Sequence, residues 1–296
     1  MKPVNRLDNA SPRGWCPHQT HMRQHTNQHC FRTCVWWGHQ PRGGNFARIT
    51  TNIKKMDFHK IVKNLLFIDI ETVSGEADFT LLPEQMQKLW LHKAKYLSNP
   101  TNLNDEEFYF DRAGIYAEFG KIVAIGVGFF HFNEEKEICL KVKSIYNDDE
   151  KQLLREFKIL VEKNYKPTAL SLCAHNGKEF DYPYICRRML VNDVVIPAAL
   201  QLSGRKPWEI PHYDTLDMWK FGDRKHHTSL ELMATIMGIE CCKDDISGDQ
   251  VNHVYYHEKD LPKIADYSRE DVIVLAQLFL KFQSMNLVKN DNIERI

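Results

Sequence analysis

The chain is 296 residues long and 43% hydrophobic, enough for one large domain or two small ones with a sizeable core. Its 39 Lys/Arg and 39 Asp/Glu cancel, which excludes a chain-wide basic coat as the means of holding a polyanion. There is no apolar run of about 18 residues and no signal-peptide-like apolar stretch at the N-terminus, so a cytoplasmic protein without membrane contact is expected.

The neutral total hides a split. Residues 1–55 carry nine Lys/Arg against one acid, Asp8, a charge of +8 that leaves −8 on the rest. They also hold five His and three Cys, with no helical or strand period. Cys16, His18, His21, His25, His29, Cys30 and Cys34 offer zinc-type ligands for an adaptor. Their spacing, however, lacks the paired ligands and intervening loop of an ordered zinc module. Residues 1–55 are expected to be a disordered or non-native extension, with the true start at Met56 and one folded domain over 56–296. An organelle transit peptide is the alternative for so Arg-rich a leader. The cysteines form no disulfide framework, which points to a reducing compartment.

From Met56 the elements alternate. The apolar run 63–70 predicts a first strand. Residues 78–118 predict a helical insertion, in which "LPEQMQKLWLHKAKYL" has helical spacing and "NPTNLNDEEF" is a turn followed by an acidic helix start. Residues 120–132 and 136–146 form a hairpin with "NEE" at its turn. Residues 148–164 form an amphipathic helix, with Leu153, Leu154, Phe157, Leu160 and Val161 on one side and Asp148/Asp149 at its start. A buried strand follows at 168–176, then a helix over 181–193 and a short one over 229–239. Asp260 caps a last long helix with Pro262 in its first turn. Meander strands followed by strands joined through helices predict a three-layer α/β sheet.

Three acidic segments stand out on these elements. Asp69 and Glu71 sit two apart in the first strand and therefore share a face, with Phe67 below them and Ile68 and Ile70 on the other side. Paired like charges are costly at low dielectric unless a cation lies between them, and hard oxygen ligands suit Mg²⁺ or Mn²⁺. A solvent-facing strand end is the plain alternative. In "HNGKEFDYPYICRR" Asp181 follows a strand and a tight turn; the alternative is a helix cap with Tyr182 and Tyr184 as core aromatics. In "DYSRED" Tyr267 and Asp271 are four apart on one helix face. That face continues as the apolar stripe Leu275, Leu278, Phe279 and Phe282, where an acid wants a partner. A solvated face is the alternative.

In this order, "FIDIET", "HNGKEFDYPY" and "YSRED" resemble the three motifs of the DEDD 3′–5′ exonucleases of the ribonuclease H-like fold. The second is similar to the N-x-x-x-F-D-x-x-Y form in the proofreading domain of family B DNA polymerases. The third has Tyr four residues before its final Asp, which places the likeness in the tyrosine branch; the position five before, His in the other branch, is Asp266. The likeness covers residues 60–285 and points to the stand-alone bacterial exonucleases related to that proofreading domain.

The resemblance implies a mixed central sheet flanked by helices and two Mg²⁺ (or Mn²⁺) ions held by Asp69, Glu71, Asp181 and Asp271, roughly 3.5–4 Å apart. It implies that Asp69 bridges both ions. Glu71 and Asp271 would complete the site of the ion carrying the attacking water, and Asp181 would serve the other ion through water. Tyr267 would orient the nucleophile, and in-line attack would release a 5′-mononucleotide. It further places Asn176 near the scissile phosphate, the backbone of Thr72 near the terminal 3′-hydroxyl, and Phe180 under the site or against a base. The substrate implied is single-stranded DNA or the 3′ end of duplex DNA, with RNA as the alternative. A catalytically silent nucleic-acid-binding module is a rival reading.

Some neighbours carry two readings each. Tyr182, Tyr184 and Trp208 offer base stacking or ordinary packing. Lys178, Arg187, Arg188, Arg205, Lys206, Arg224 and Lys225 offer a strand-binding groove or plain surface charge. Asp214 reads as a turn or cap residue, not a metal ligand.

Overall fold

The computed structural model describes residues 58–223, 227–240 and 246–296. All lie in the second of the two units into which the chain divides, Arg48–Ile296. The expectations for residues 1–55, Met56, Arg224 and Lys225 fall outside the described residues.

Strand β1 (Leu65–Ser74) is the centre of a six-stranded sheet. It pairs antiparallel with β2 (Gly120–Phe132), which pairs antiparallel with β3 (Ile138–Tyr146). On its other edge β1 runs parallel to β4 (Ser171–Ala174), and β4 runs parallel to β5 (Tyr213–Asp214). A final strand β6 (Ile293–Arg295) pairs parallel with β3 at the far edge. The spatial order is β5–β4–β1–β2–β3–β6.

Helix α1 (Glu84–Ala94) and helix α2 (Asp105–Arg112) fall within residues 78–118, where helices are expected. They have their own aromatic cluster, with Trp90 buried among Phe108, Tyr109 and Phe119. Helix α3 (Glu150–Asn164) is capped by Asp149, which accepts from the N–H groups of Lys151 and Gln152. Helix α4 (Asp181–Val191) follows β4, and α5 (Thr215–Lys220) and α6 (Leu230–Ile236) follow β5. A short helical turn, α7 (Val251–His253), widens into a π-turn over Val254–Glu258. The long helix α8 (Leu261–Phe282) is capped by Asp260, which accepts from Lys263 N–H at 3.0 Å.

The strand alternation divides the core as expected. Leu66, Ile68 and Ile70 pack with Phe157 of α3 and Ile185 of α4 on one face. Leu65 and Phe67 pack with Leu275 and Phe279 of α8 on the other. The result is a three-layer α/β/α domain with a mixed sheet. No helix among the described residues is long and apolar enough to cross a membrane.

One boundary differs in a way that matters. The sequence places the end of β1 at residue 70, but the strand runs on to Ser74. The cause is β2, which pairs with Thr72, Val73 and Ser74 through Ile122, Lys121 and Gly120 after a bulge between Glu71 and Thr72. On the other edge pairing stops at Phe67, opposite Cys173 of β4. Asp69 and Glu71 therefore lie inside the strand, with one edge paired and the other open.

Candidate active site

Asp69 and Glu71 point from β1 toward α8, on the same face as Phe67 and Val73. What lets α8 descend onto them is β2. Gly126 is the ladder partner of Asp69, and Gly128 that of Phe67. A Cβ on Gly126 would lie 2.6 Å from the Ser268 carbonyl oxygen, and one on Gly128 would lie 2.6 Å from a Val272 methyl. Both contacts are impossible for a side chain, so the two glycines form the floor on which α8 rests. Ser268 is fully buried there, with its Oγ 3.5 Å from the Asp69 carbonyl oxygen.

Seating Ser268 brings Tyr267 and Asp271 to the acids of β1. Carboxylate oxygens of Asp69, Glu71 and Asp271 all lie within 4.8 Å of one another. Burial is the first cause that raises the Asp69 carboxyl well above the usual range. The charges of Glu71, Asp271 and Asp181 and a carboxyl–carboxylate hydrogen bond with Glu71 add to it. The half-buried Tyr267 phenol is pushed far above its ordinary value, by desolvation first and then by Asp271, Glu71 and Asp69. It therefore holds its proton and donates to Asp271.

Asp181 is the first residue of α4 and is buried. It is not one of the three clustered acids, but its charge is felt at Asp69. Ser171 N–H donates to the Asn64 carbonyl, so even-numbered backbone groups of β1 face the β4 edge. Beyond Phe67 that edge is open, and the Ile70 N–H there donates to Asp181. Burial still raises the Asp181 carboxyl to about 7, with Asp214 adding to the rise and the Ile70 N–H opposing it.

The loop between β4 and α4 is held from below. Asn176 takes a left-handed conformation (φ 61°), and its N–H donates to Asp214 Oδ1 at 3.0 Å. Asp214 also accepts from Lys178, Leu216 and Asp217 N–H. Asp214 caps α5, as the cap reading has it. Thr72 is half-buried at the bulge, with its hydroxyl against that of Tyr184. Phe180 packs on the core with its ring 5.3 Å from that of Tyr184, as the packing reading has it.

Several neighbours sort differently from one another. Tyr182 and Tyr184 are buried, so they pack and do not stack on bases. Trp208 is 75% exposed, with Lys206 Nζ 5.4 Å from its ring. Lys178 pairs with Asp217 at 3.1 Å. Arg187, Arg205 and Lys206 are exposed. Arg188 is engaged elsewhere: its guanidinium is largely enclosed and paired with Glu150, because α4 turns this residue toward α3 and the Ala117 carbonyl.

Sequence reasoning missed Gly126, Gly128, Ser268 and Glu150. The glycines carried a legible signal. "GVG" puts two glycines on one face of an otherwise apolar strand, which marks a close approach by another element.

The fold is thus a mixed sheet whose central strand presents two carboxylates to a helix that carries a third. Residues 115–293, more than half of the chain, match the family described as "Predicted 3′-5′ exonuclease related to the exonuclease domain of PolB". The chain belongs to this family. The matched segment contains Asn176, Asp181, Tyr267 and Asp271, and it begins after Asp69 and Glu71, which the geometry alone joins to the set. A comparison with curated proteins found no match. Among solved structures, the family B DNA polymerase of the hyperthermophilic archaeon Pyrobaculum calidifontis is similar at a TM-score of 0.45 and 13% identity. That likeness covers 73% of this chain and 24% of the polymerase chain, so this chain spans about a quarter of that protein.

Proposed function

We propose that the chain is a metal-dependent 3′–5′ exonuclease releasing 5′-mononucleotides from single-stranded DNA. The observation that carries this reading is the convergence of Asp69, Glu71 and Asp271 from two elements within 4.8 Å. The donor set fits Mg²⁺ or Mn²⁺: every ligand atom is a carboxylate oxygen, and a cation would offset the burial and the neighbouring negative charges that raise the Asp69 carboxyl. In this reading Asp69, Glu71 and Asp271 would hold one ion, and Asp181 would help to hold a second. When bound, such ions lower the pKa of an attacking water and stabilise the leaving 3′-oxygen.

The protein side of the chemistry follows from the placement of its groups. Tyr267 stays protonated and is suited to orient a water as a donor, not to abstract a proton from it. Asp181 is poised by the Ile70 N–H on the open edge of β1. Asn176, fixed by Asp214, faces the phosphate in this reading, and the backbone of Thr72 meets the terminal 3′-hydroxyl.

The test uses 5′-labelled single-stranded DNA and RNA of one sequence with Mg²⁺, Mn²⁺ or EDTA. A ladder shortening from the 3′ end of the DNA is expected, absent with EDTA and in Asp69→Ala. Undiminished cleavage by Asp69→Ala would sink the site assignment. Faster cleavage of the RNA would make the chain an exoribonuclease, and binding without cleavage a silent module.

A further inference from the structure

Outside the carboxylate cluster, one largely enclosed polar network ties α3 and α4 to β2, the ladder neighbour of the strand that carries Asp69 and Glu71. Glu150 opens α3, and its side chain is 8% exposed; Arg188 on α4 is 12% exposed. The guanidinium grips the carboxylate as a fork, with Nη2 to Oε2 at 2.5 Å and Nε to Oε1 at 2.8 Å. Its Nη1 donates to the Ala117 carbonyl at 2.8 Å. The Glu150 carboxylate also accepts from Asn192 Nδ2 at 2.7 Å and from the Ile122 backbone N–H at 2.8 Å.

The location of Ile122 gives the network its meaning. Ile122 is the ladder partner of Thr72, just across the bulge from Glu71. β3 has stopped pairing there, its last partner being Ala124, so the Ile122 N–H needs another acceptor. Glu150 supplies it. On α4, Asp181, Tyr184 and Arg188 recur at helical spacing and form one stripe. Each makes its own contact: Asp181 with Ile70 N–H, Tyr184 Oη with the Gly114 carbonyl at 2.7 Å, and Arg188 with Ala117 and Glu150. A forked pair restricts both the rotation and the slide of a helix, which an apolar contact does not. Buried ion pairs are poor sources of stability but specific in geometry.

We infer that Glu150 and Arg188 are positioning residues that set the spacing between the strand carrying Glu71 and the helix carrying Asp181, and so the second metal position. The inference rests on the exonuclease reading above. The experiment is a calorimetric titration of the full chain with Mn²⁺, without nucleic acid, for the wild type, Glu150→Gln and Arg188→Met. The wild type is expected to bind two ions. The variants should keep the tighter site and lose about tenfold or more at the weaker one. Their Mg²⁺ requirement for cleavage should rise in parallel while KM for DNA stays put. Folded variants with wild-type two-site isotherms, whatever their melting temperature, would reduce the pair to a structural contact and overturn the inference. Should Arg188→Met fail to fold, Arg188→Lys keeps the charge, loses the fork and is read in the same way. A wild type that binds two Mn²⁺ but cuts no nucleic acid overturns the exonuclease reading and leaves the titration to decide the positioning. A wild type that binds one ion and still cuts nucleic acid overturns the positioning inference and leaves the exonuclease reading standing.

Discussion

Gly126 of β2 lies across the ladder from Asp69 of β1, and the space above it is filled by Ser268 of α8. Gly126→Ala puts a methyl 2.6 Å from backbone that has no room to yield, so α8 must rise. Overpacking of this kind costs about 1–3 kcal/mol. The larger effect should be on turnover, because α8 carries Tyr267 and Asp271: a misplacement of ~1 Å costs about 100-fold. Melting temperature and kcat of the purified variant check this. Wild-type turnover in folded Gly126→Ala would show that the height of α8 does not set the site.

Asp69→Asn should stabilise the metal-free protein while abolishing cleavage. In the metal-free fold the Asp69 and Asp181 carboxyls are both raised, the latter to about 7 against an ordinary Asp value of about 4. A raised folded pKa contributes stability below the unfolded value and loses it as pH climbs through the folded value. The metal-free wild type should therefore weaken between about pH 4 and pH 7, and Mg²⁺ should reverse the loss. At pH 8 without metal, Asp69→Asn should gain about 1 kcal/mol or more, roughly 2–4 °C in melting temperature. It should not respond to Mg²⁺ as the wild type does. Thermal melts with and without Mg²⁺ decide it.

Tyr267→Phe should slow cleavage by about 10- to 100-fold, less than Asp69→Ala does. Because the Tyr267 phenol is held far above its ordinary pKa, it contributes no titrating limb near neutrality. The pH–rate profiles of the wild type and Tyr267→Phe should run parallel up to about pH 9. Loss of a basic limb in the variant would reassign Tyr267 as a proton acceptor.

His212 should make the fold acid-sensitive. The buried ring accepts from Leu172 N–H at Nδ1 and donates from Nε2 to the Ala199 carbonyl, which requires the neutral form. Burial lowers its pKa to about 4, with the Ala199 bond opposing the fall. A lowered folded pKa means stability that is full above the unfolded value of about 6.5 and is lost as pH falls toward 4. The loss attributable to His212 should approach roughly 3 kcal/mol. Denaturant titrations of the wild type and His212→Leu across that range should show a flatter slope in the variant, from a lower starting stability. Identical slopes would remove His212 as the sensor.

Much of the site was legible because its signals are local. Asp69 and Glu71 share a face by strand alternation, Tyr267 and Asp271 by helical spacing, and Asp260 with Pro262 marks the start of α8 within four residues. The end of β1 was misplaced because it depends on a bulge opposite Glu71, contributed by a partner strand fifty residues away. Arg188 read as surface charge because nothing near it in sequence announces Glu150. β6 escaped notice because three residues carry too little periodicity, and only pairing with Leu140–Val142 makes them a strand.

The amino-acid sequence by itself determined which side chains share a face on each element, since alternation and helical spacing are properties of neighbours. Only the tertiary structure decided how those faces meet. The depth of α8 is set by two missing side chains on β2, Asp181 is seated where β4 stops and leaves the Ile70 N–H unpaired by the sheet, and α4 is clamped by a carboxylate from α3. Such distances arise from close packing between segments far apart in the chain, where a single Cβ or one more ladder bond changes the outcome.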